Sequence, residues 1–421
     1  LLIKHLTLAN FRNHLATEVS FVDGVNLFEG DNGQGKTNIV EAVHYLASLQ
    51  SHRTAGYLPL IGWDAETAVV KAKISHAGRD VLLDLELSKT SKNRVAINKS
   101  PSNKMRDLLG YVQTVIFAPE DLDIVKKDPS NRRAFIDGLL VQLSPRFAGI
   151  FSDYERVLKQ RNTLLKSARS NSVKGSALST LDAWDDQLIT LGTQIVVARG
   201  QLMQRLNPQV VEAYQQIAVA RNEPMLRMKS SLLGTGVPAF SGAGAGSGNG
   251  SGAYGDAEEA DDLEYLDDFD ADNVRKLFEE RVKALRPKEL ERGLTLSGPQ
   301  RDDLVLLLNG MPAKTYASHG EGWSYALALR LASRQLLRED SNYGDPILIL
   351  DDVFAELDAK RRERLADLVA DNEQVLITAA VAEDVPEALR AKVFHVEHGR
   401  VTDQGDPDAA GTAAGEGEAT A

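Results

Sequence analysis

Alternating and continuous apolar runs divide the chain into three stretches. At the start, residues 2–8 and 17–21 read as paired strands around a turn at residues 10–14, and residues 25–28 (VNLF) as a third strand. Past that strand, Ile39, Val43 and Leu46 fall at helical spacing and predict a helix over residues 38–49. In the middle, Phe147, Phe151, Tyr154 and Leu158 precede a polar break at Arg161 and then Leu165. A second series runs through Leu181, Trp184, Leu188, Leu191, Ile195, Ala198 and Leu202. Both keep three- and four-residue spacing, which predicts two antiparallel helices joined by a polar link over residues 167–180. The pair would form a short coiled-coil-like arm, roughly 35 Å long at 1.5 Å per residue. The last third returns to strands (304–308, 347–350, 375–378, 393–396) alternating with helices (325–337, 361–370), with a turn at Asn309-Gly310. Two α/β parts separated by a helical one imply a single head split in sequence, with the arm inserted between its halves.

The resulting division is an N-terminal part of the head (1–140), a helical arm (141–237), an insertion (238–274), the rest of the arm and head (275–401), and a tail (402–421). Gly, Ser and Ala dominate residues 241–255, and an acidic run follows, so the insertion and the Gly/Ala/Asp/Glu tail are expected to be disordered.

Composition changes this picture little, and charge changes it more. Of 421 residues, 43% are hydrophobic and 26% charged, which is ordinary for a globular chain. No apolar run is long enough to span a bilayer and no signal-peptide pattern opens the chain, which points to a cytoplasmic protein with no membrane partner. With no Cys, disulfide scaffolds, thiolate metal sites and Cys nucleophiles are excluded. The net charge of -12 is concentrated: ten acidic residues and no Lys or Arg lie between Pro238 and Val274, and five more lie after Val401. The remainder is at about +3, which permits a nucleic-acid partner.

The sharpest chemistry lies directly after the third strand, where residues 30–37 read GDNGQGKT. In such a loop, glycines at Gly30, Gly33 and Gly35 let backbone amides, including those of Asp31, Asn32, Gln34 and Asn38, approach phosphates. Lys36 neutralises β- and γ-charge, and the Thr37 hydroxyl holds Mg²⁺. The partner such a loop needs is a buried strand ending in carboxylates, supplied by Ile347-Leu348-Ile349-Leu350-Asp351-Asp352: Asp351 to hold Mg²⁺, Asp352 to polarise the attacking water. ATP with Mg²⁺ is the expected ligand. Residues 296–300 (LSGPQ) imitate the signature that ABC-type ATPases use on a partner's γ-phosphate, but they lead into a strand. Ser318-His319-Gly320-Glu321, which precedes a helix, is the better candidate, with Ser318 and Gly320 carrying the contact.

Together these elements resemble the RecF family of recombination and DNA-repair ATPases, relatives of SMC proteins. The resemblance rests on Asn10-Phe11-Arg12-Asn13, the phosphate loop through Asn38, residues 117–122 (FAPEDL), residues 297–304 (SGPQRDDL), the Ser318 element and residues 351–358 (DDVFAELD). His319, Glu321, Gly322 and Trp323 depart from the usual signature, and Trp323 replaces its usual Arg. The resemblance implies an ABC/SMC-type P-loop ATPase head that dimerises on ATP, with Ser318 of one copy completing the other's site, and slow hydrolysis stimulated by DNA. It further implies action at single-strand gaps or junctions, with RecO and RecR, to load recombinase. Arg12 would touch a nucleotide phosphate, and Asp358 would face the dimer. Candidate DNA contacts are Lys126, Lys127, Arg132, Arg133, Arg156, Lys159, Arg161, Lys166, Arg169 and Lys174. A transporter ATPase subunit and a DNA-binding scaffold using ATP only to dimerise are the alternatives.

Overall fold

The computed structural model describes residues 1–76, 78–102, 104–171, 176–218, 221–234, 264–341 and 344–403. Strands β1 (Leu2–Phe11) and β2 (His14–Ser20) form the expected hairpin, while β3 (Gly24–Glu29) leaves it for a second sheet. The hairpin continues into β4 (Thr67–His76), β5 (Arg79–Ser88), β6 (Arg94–Ile97) and β7 (Ser100–Ser102), an antiparallel sheet of order β2-β1-β4-β5-β6-β7. The second sheet gathers β3 with β8 (Thr114–Phe117), β12 (Ile347–Asp351), β13 (Gln374–Ala379), β14 (Lys392–Glu397) and β15 (Arg400–Asp403), in the order β15-β14-β3-β13-β12-β8. All its pairings are parallel except the β14–β15 hairpin. A third, antiparallel sheet holds β9 (Pro224–Lys229), β10 (Asp303–Leu308) and β11 (Met311–Pro312).

The parallel sheet is central because its strands are apolar on both faces. In β12, Ile347 and Ile349 point into the core shared with the antiparallel sheet and α1 (Lys36–Ser48). Leu348 and Leu350 point into a second core. That core takes in α2 (Leu122–Lys126), α3 (Pro129–Leu143) and the long helices α4 (Arg146–Asn171) and α5 (Ser176–Ile217). Further along the chain come α6 (Ala271–Arg292), the short α7 (Ala313–Tyr316), α8 (His319–Asp340) and α9 (Ala359–Val369). The head is thus assembled from both ends of the chain, with β13 of the C-terminal part lying between β3 and β12.

The arm differs from a two-helix hairpin. Its first helix continues to Asn171 and the second starts at Ser176, so most of the polar stretch read as a link is helical, and α5 runs 42 residues. A third helix, α6, packs along both; its Val274, Phe278 and Val282 share the core with Tyr154, Val157, Leu188 and Ile195. The polar break at Arg161 is the ionic centre of this bundle. The side chain is 0% exposed and bonds Asp185 of α5 (2.6 Å), Glu289 of α6 (2.6 Å) and Thr295 (2.8 Å).

The expected boundary at residue 274 falls inside α6. From Glu264 onward the insertion is ordered: Leu266 donates to the Met228 carbonyl at 2.8 Å, and Phe269 is buried so tightly on α5 that a Cβ at Gly200 would sit 1.9 Å from its ring. The Gly-rich residues 241–255 lie outside the described residues, as does the tail beyond Asp403; Thr402 and Asp403 belong to β15. Among the described residues no helix is long and apolar enough to cross a membrane.

Candidate nucleotide-binding site

The GDNGQGKT residues form the connection between β3 and α1, at the carboxyl edge of the parallel sheet where α/β folds place their ligands. Gly30, Gly33 and Gly35 have φ of 145°, 85° and 118°. At Gly35 the requirement is steric as well, since a Cβ would come within 2.9 Å of the Asn13 amide and the His14 ring. Lys36 is 3% exposed, and its ammonium lies inside the loop, donating to the carbonyls of Gly30 (2.5 Å) and Asp31 (3.0 Å). Asp31, Asn32 and Gly33 are exposed along the rim.

Strand order brings the second element to the first. Asp351 ends β12 and Thr37 opens α1; although 314 residues apart, Thr37 Oγ1 donates to Asp351 Oδ1 at 2.8 Å. Between them stands β13, whose Thr378 hydroxyl donates to the same oxygen at 2.6 Å. His52 Nε2 lies 3.4 Å from Asp351 Oδ2. Burial pushes the Asp351 carboxyl up, but contacts from His52, Thr378 and Thr37 outweigh it and hold its pKa below the ordinary value. An ionised carboxylate beside a hydroxyl is a hard-oxygen pair suited to a hydrated Mg²⁺ shared with phosphates. Among the described residues no cluster of three His, Asp or Glu would hold a metal unaided. Asp352 behaves oppositely: burial, then the Asp351 charge, push its pKa up. It adopts φ 50°, its amide donates to Thr378 Oγ1 at 3.0 Å, and it lines a cavity of about 190 Å³ with Asn32, Pro119 and Glu356. Sequence reading missed Thr378 and His52, because a Thr at a strand end and a His in a loop carry no motif.

Beside the loop, Arg12 makes a two-pronged ion pair with the fully buried Glu41 (2.9 and 2.7 Å). It still lines an open pocket of about 590 Å³ with Asn13, Asn38, Arg53 and Trp63, whose ring is 93% exposed.

Known sequences and structures resemble this chain over nearly its whole length. The family described as the RecF/RecN/SMC N terminal domain matches residues 2–402. The "DNA replication and repair protein RecF" of Clavibacter michiganensis subsp. michiganensis is 47% identical, covering 98% of this chain and 99% of its own. Its counterpart in Leifsonia xyli subsp. xyli is also 47% identical, covering 95% and 99%. The chain belongs to the RecF family. A solved structure of the recombination mediator protein RecF-ATPrS in the RecFOR pathway superposes with a TM-score of 0.80 at 25% identity, covering 96% of this chain and 98% of that one. A RecF-ATP structure gives 0.78 at 25%, covering 95% and 97%. The fold is therefore the ABC/SMC-type ATPase head.

In this RecF-family chain the imitation signature at residues 296–300 is a buried corner. Leu296, Ser297 and Pro299 are covered, Arg199 donates to the Pro299 carbonyl at 2.7 Å, and the chain enters β10. Ser318 is the N-cap of α8, in a reciprocal box with Glu321: the Ser318 amide donates to Glu321 Oε2 at 2.9 Å, and the Glu321 amide donates to Ser318 Oγ at 3.3 Å. Ser318 and His319 are exposed and Gly320 is half-buried. Among the described residues no hydrogen bond joins Ser318 or Gly320 to the phosphate loop. Trp323, at the usual Arg, turns into the core. Asp358 caps α9, accepting from the Arg361 amide at 3.0 Å.

Several candidate DNA contacts have structural partners instead. Arg161 is buried as described above, Arg132 pairs with Asp303 (2.7 and 2.8 Å), Arg133 donates to the Asp302 carbonyl (2.7 Å) and Lys126 to the carbonyl of Ala317. A long side chain reads the same in sequence whether it pairs inside or faces water. Lys127, Arg156, Lys159, Lys166 and Arg169 remain exposed; Lys174 lies outside the described residues.

Proposed function

We propose that this chain is an ATP-dependent DNA-binding protein of recombinational repair and replication, acting at single-strand gaps or junctions with RecR and RecO in the cytoplasm to help load recombinase. The observation that carries the ATP reading is the Thr37–Asp351–Thr378 cluster at the mouth of the phosphate loop. Loop amides from Gly30 to Asn38 would take the triphosphate, with Lys36 leaving its carbonyl partners for the β- and γ-oxygens. Arg12 would supply a further charge. Thr37 and Asp351 would hold Mg²⁺, which neutralises phosphate charge when bound. Asp352, its pKa raised, suits a group that orients and accepts a proton from the attacking water. The pocket beside Asn38 would take the nucleoside, with Trp63 as its stacking face.

Among the described residues no signature serine bonds to the phosphate loop, and Ser318 is exposed at a helix start whose amides suit a phosphate. A second copy presenting Ser318 and Gly320 would complete it, giving an ATP-bound dimer that releases on slow, DNA-stimulated hydrolysis. The buried Trp323, which removes the signature's usual cation, favours as second reading a scaffold that uses ATP only to dimerise. The test is ATPase rate and sedimentation with and without gapped DNA, for wild type, Lys36→Arg and Asp352→Asn. DNA-stimulated turnover lost in both variants supports hydrolysis. ATP-dependent dimers without turnover support the scaffold, and indifference to DNA refutes both.

A further inference from the structure

The back of the phosphate loop is gripped from two distant parts of the chain. From the β1–β2 turn, Asn13 Nδ2 donates to the Gln34 carbonyl at 2.9 Å, and the fully buried His14 places Nε2 3.0 Å from the Gly35 carbonyl. From the β14–β15 turn, the Gly399 amide donates to the same Gln34 carbonyl at 2.9 Å, and the His398 amide to Gln34 Oε1 at 2.7 Å. The two turns are locked together: Thr17 Oγ1 donates to the Gly399 carbonyl at 2.7 Å, with His14 Nδ1 3.0 Å from both groups. Gly399, at φ 74°, has room for no Cβ, which would lie 2.5 Å from the Asn13 carbonyl oxygen.

In a planar trans peptide the C=O of one residue and the N–H of the next point opposite ways. The Gln34 carbonyl, held at the back of the loop by Asn13 and Gly399, therefore aims the Gly35 amide to its front, while the Gly35 carbonyl, which faces His14 Nε2 and also accepts the Asn38 and Ile39 amides of the first turn of α1, sets the direction of the Lys36 amide. Among the described residues neither amide donates to a loop or turn carbonyl. With left-handed glycines alternating through the loop, the result is an anion nest whose orientation is fixed before any anion arrives. Burial lowers the His14 pKa, and the neutral ring has one N–H to give: Nε2 faces the Gly35 carbonyl and Nδ1 the Gly399 carbonyl, each at 3.0 Å, so the ring stands between the loop and the β14–β15 turn.

We propose that the two turns form a brace that pre-aims the phosphate-binding amides, with His14 and Gly399 as positioning residues that touch no ligand. The proposal rests on the nucleotide reading above, and pre-orientation of this kind acts on affinity by removing the ordering penalty. Calorimetry with ATP and with inorganic tripolyphosphate, on the full chain, tests it. His14→Leu is expected to weaken both ligands about tenfold, and His14→Gln, whose amide can donate to the Gly35 carbonyl, to recover most of the loss at the same ligand-free melting temperature. Gly399→Ala, which introduces a Cβ against the Asn13 carbonyl oxygen, should reproduce the weakening. The brace is overturned if His14→Leu and Gly399→Ala bind tripolyphosphate as the wild type does, or if the loss tracks melting temperature alone and Gln does not rescue it. A wild type that binds neither ligand, while Lys36→Ala behaves identically, refutes the nucleotide reading and the brace together.

Discussion

Replacing Arg161 separates a structural strut from a DNA contact. Arg161→Met keeps the stem's packing but removes the charge that Asp185, Glu289 and Thr295 all address. The two carboxylates fare differently. Asp185 retains Arg286 as a partner, whereas among the described residues the fully buried Glu289 retains the Leu296 amide at 2.6 Å and no cation. Breaking a buried pair by removing one partner destabilises by about 3 to 5 kcal/mol, and the surviving Asp185–Arg286 pair places the expected loss near ~3 kcal/mol. Urea unfolding followed through Trp184, the residue preceding Asp185 on α5, in a background carrying Trp63→Phe and Trp323→Phe, reads the arm locally, which matters in a chain too large for a single two-state transition. Adding Glu289→Gln, which leaves no uncompensated charge on α6, should restore part of the loss. At low urea the folded variant should bind gapped DNA with an unchanged salt dependence, whereas neutralising an exposed phosphate contact lowers that slope by about one. A variant within ~1 kcal/mol of wild type whose salt slope falls by one would refute the strut and return Arg161 to the DNA surface.

Other outcomes follow from the same contacts. Arg12→Ala leaves Glu41 buried beside the Ser51 hydroxyl with no cation among the described residues, and should destabilise the head by about 3 kcal/mol. Chemical denaturation of Arg12→Ala/Glu41→Gln should show the stability recovered while ATP affinity stays low, if Arg12 also serves phosphate. Trp63→Ala, at an exposed position, should leave stability unchanged and weaken ATP several-fold without affecting tripolyphosphate, as read by calorimetry; equal weakening of both would remove Trp63 from the nucleoside pocket. His44 is held by burial at a pKa of about 3, against the ordinary 6.5. The unfolded chain therefore takes up a proton below pH 6.5 that the folded chain refuses until about pH 3. This group's contribution is complete above pH 6.5 and falls by at most ~1.4 kcal/mol per pH unit across that window. Denaturation of His44→Gln should lose that part of the pH slope; an unchanged slope would show that His44 titrates normally.

Much of this molecule is written in short-range pattern. The run Ile347-Leu348-Ile349-Leu350 has no polar face, so it had to be a strand covered on both sides, and GDNGQGKT between a strand and a helix had to be a tight Gly-rich turn. The Ser318–Glu321 capping box and the Asn309-Gly310 hairpin turn are equally local, each decided by residues within four positions. The hidden features share one physical cause: each depends on residues brought together by strand order or helix packing. Helical spacing predicted α4 and α5, yet nothing in it told that α6 would bring Glu289 to Arg161 and convert an apparent break into a buried ionic centre. Thr378 serves Asp351 only because β13 lies between β3 and β12, and residues 398–399 brace the phosphate loop only because β14 pairs with β3. The sequence by itself determined where a Gly-rich turn ending in Lys36 and Thr37 lies and which strand ends in Asp351 and Asp352, since these reside in residue type and local backbone. Only the tertiary structure decided which basic side chains stay in water, because that depends on partners such as Glu289 for Arg161 and Asp303 for Arg132, each more than a hundred residues away.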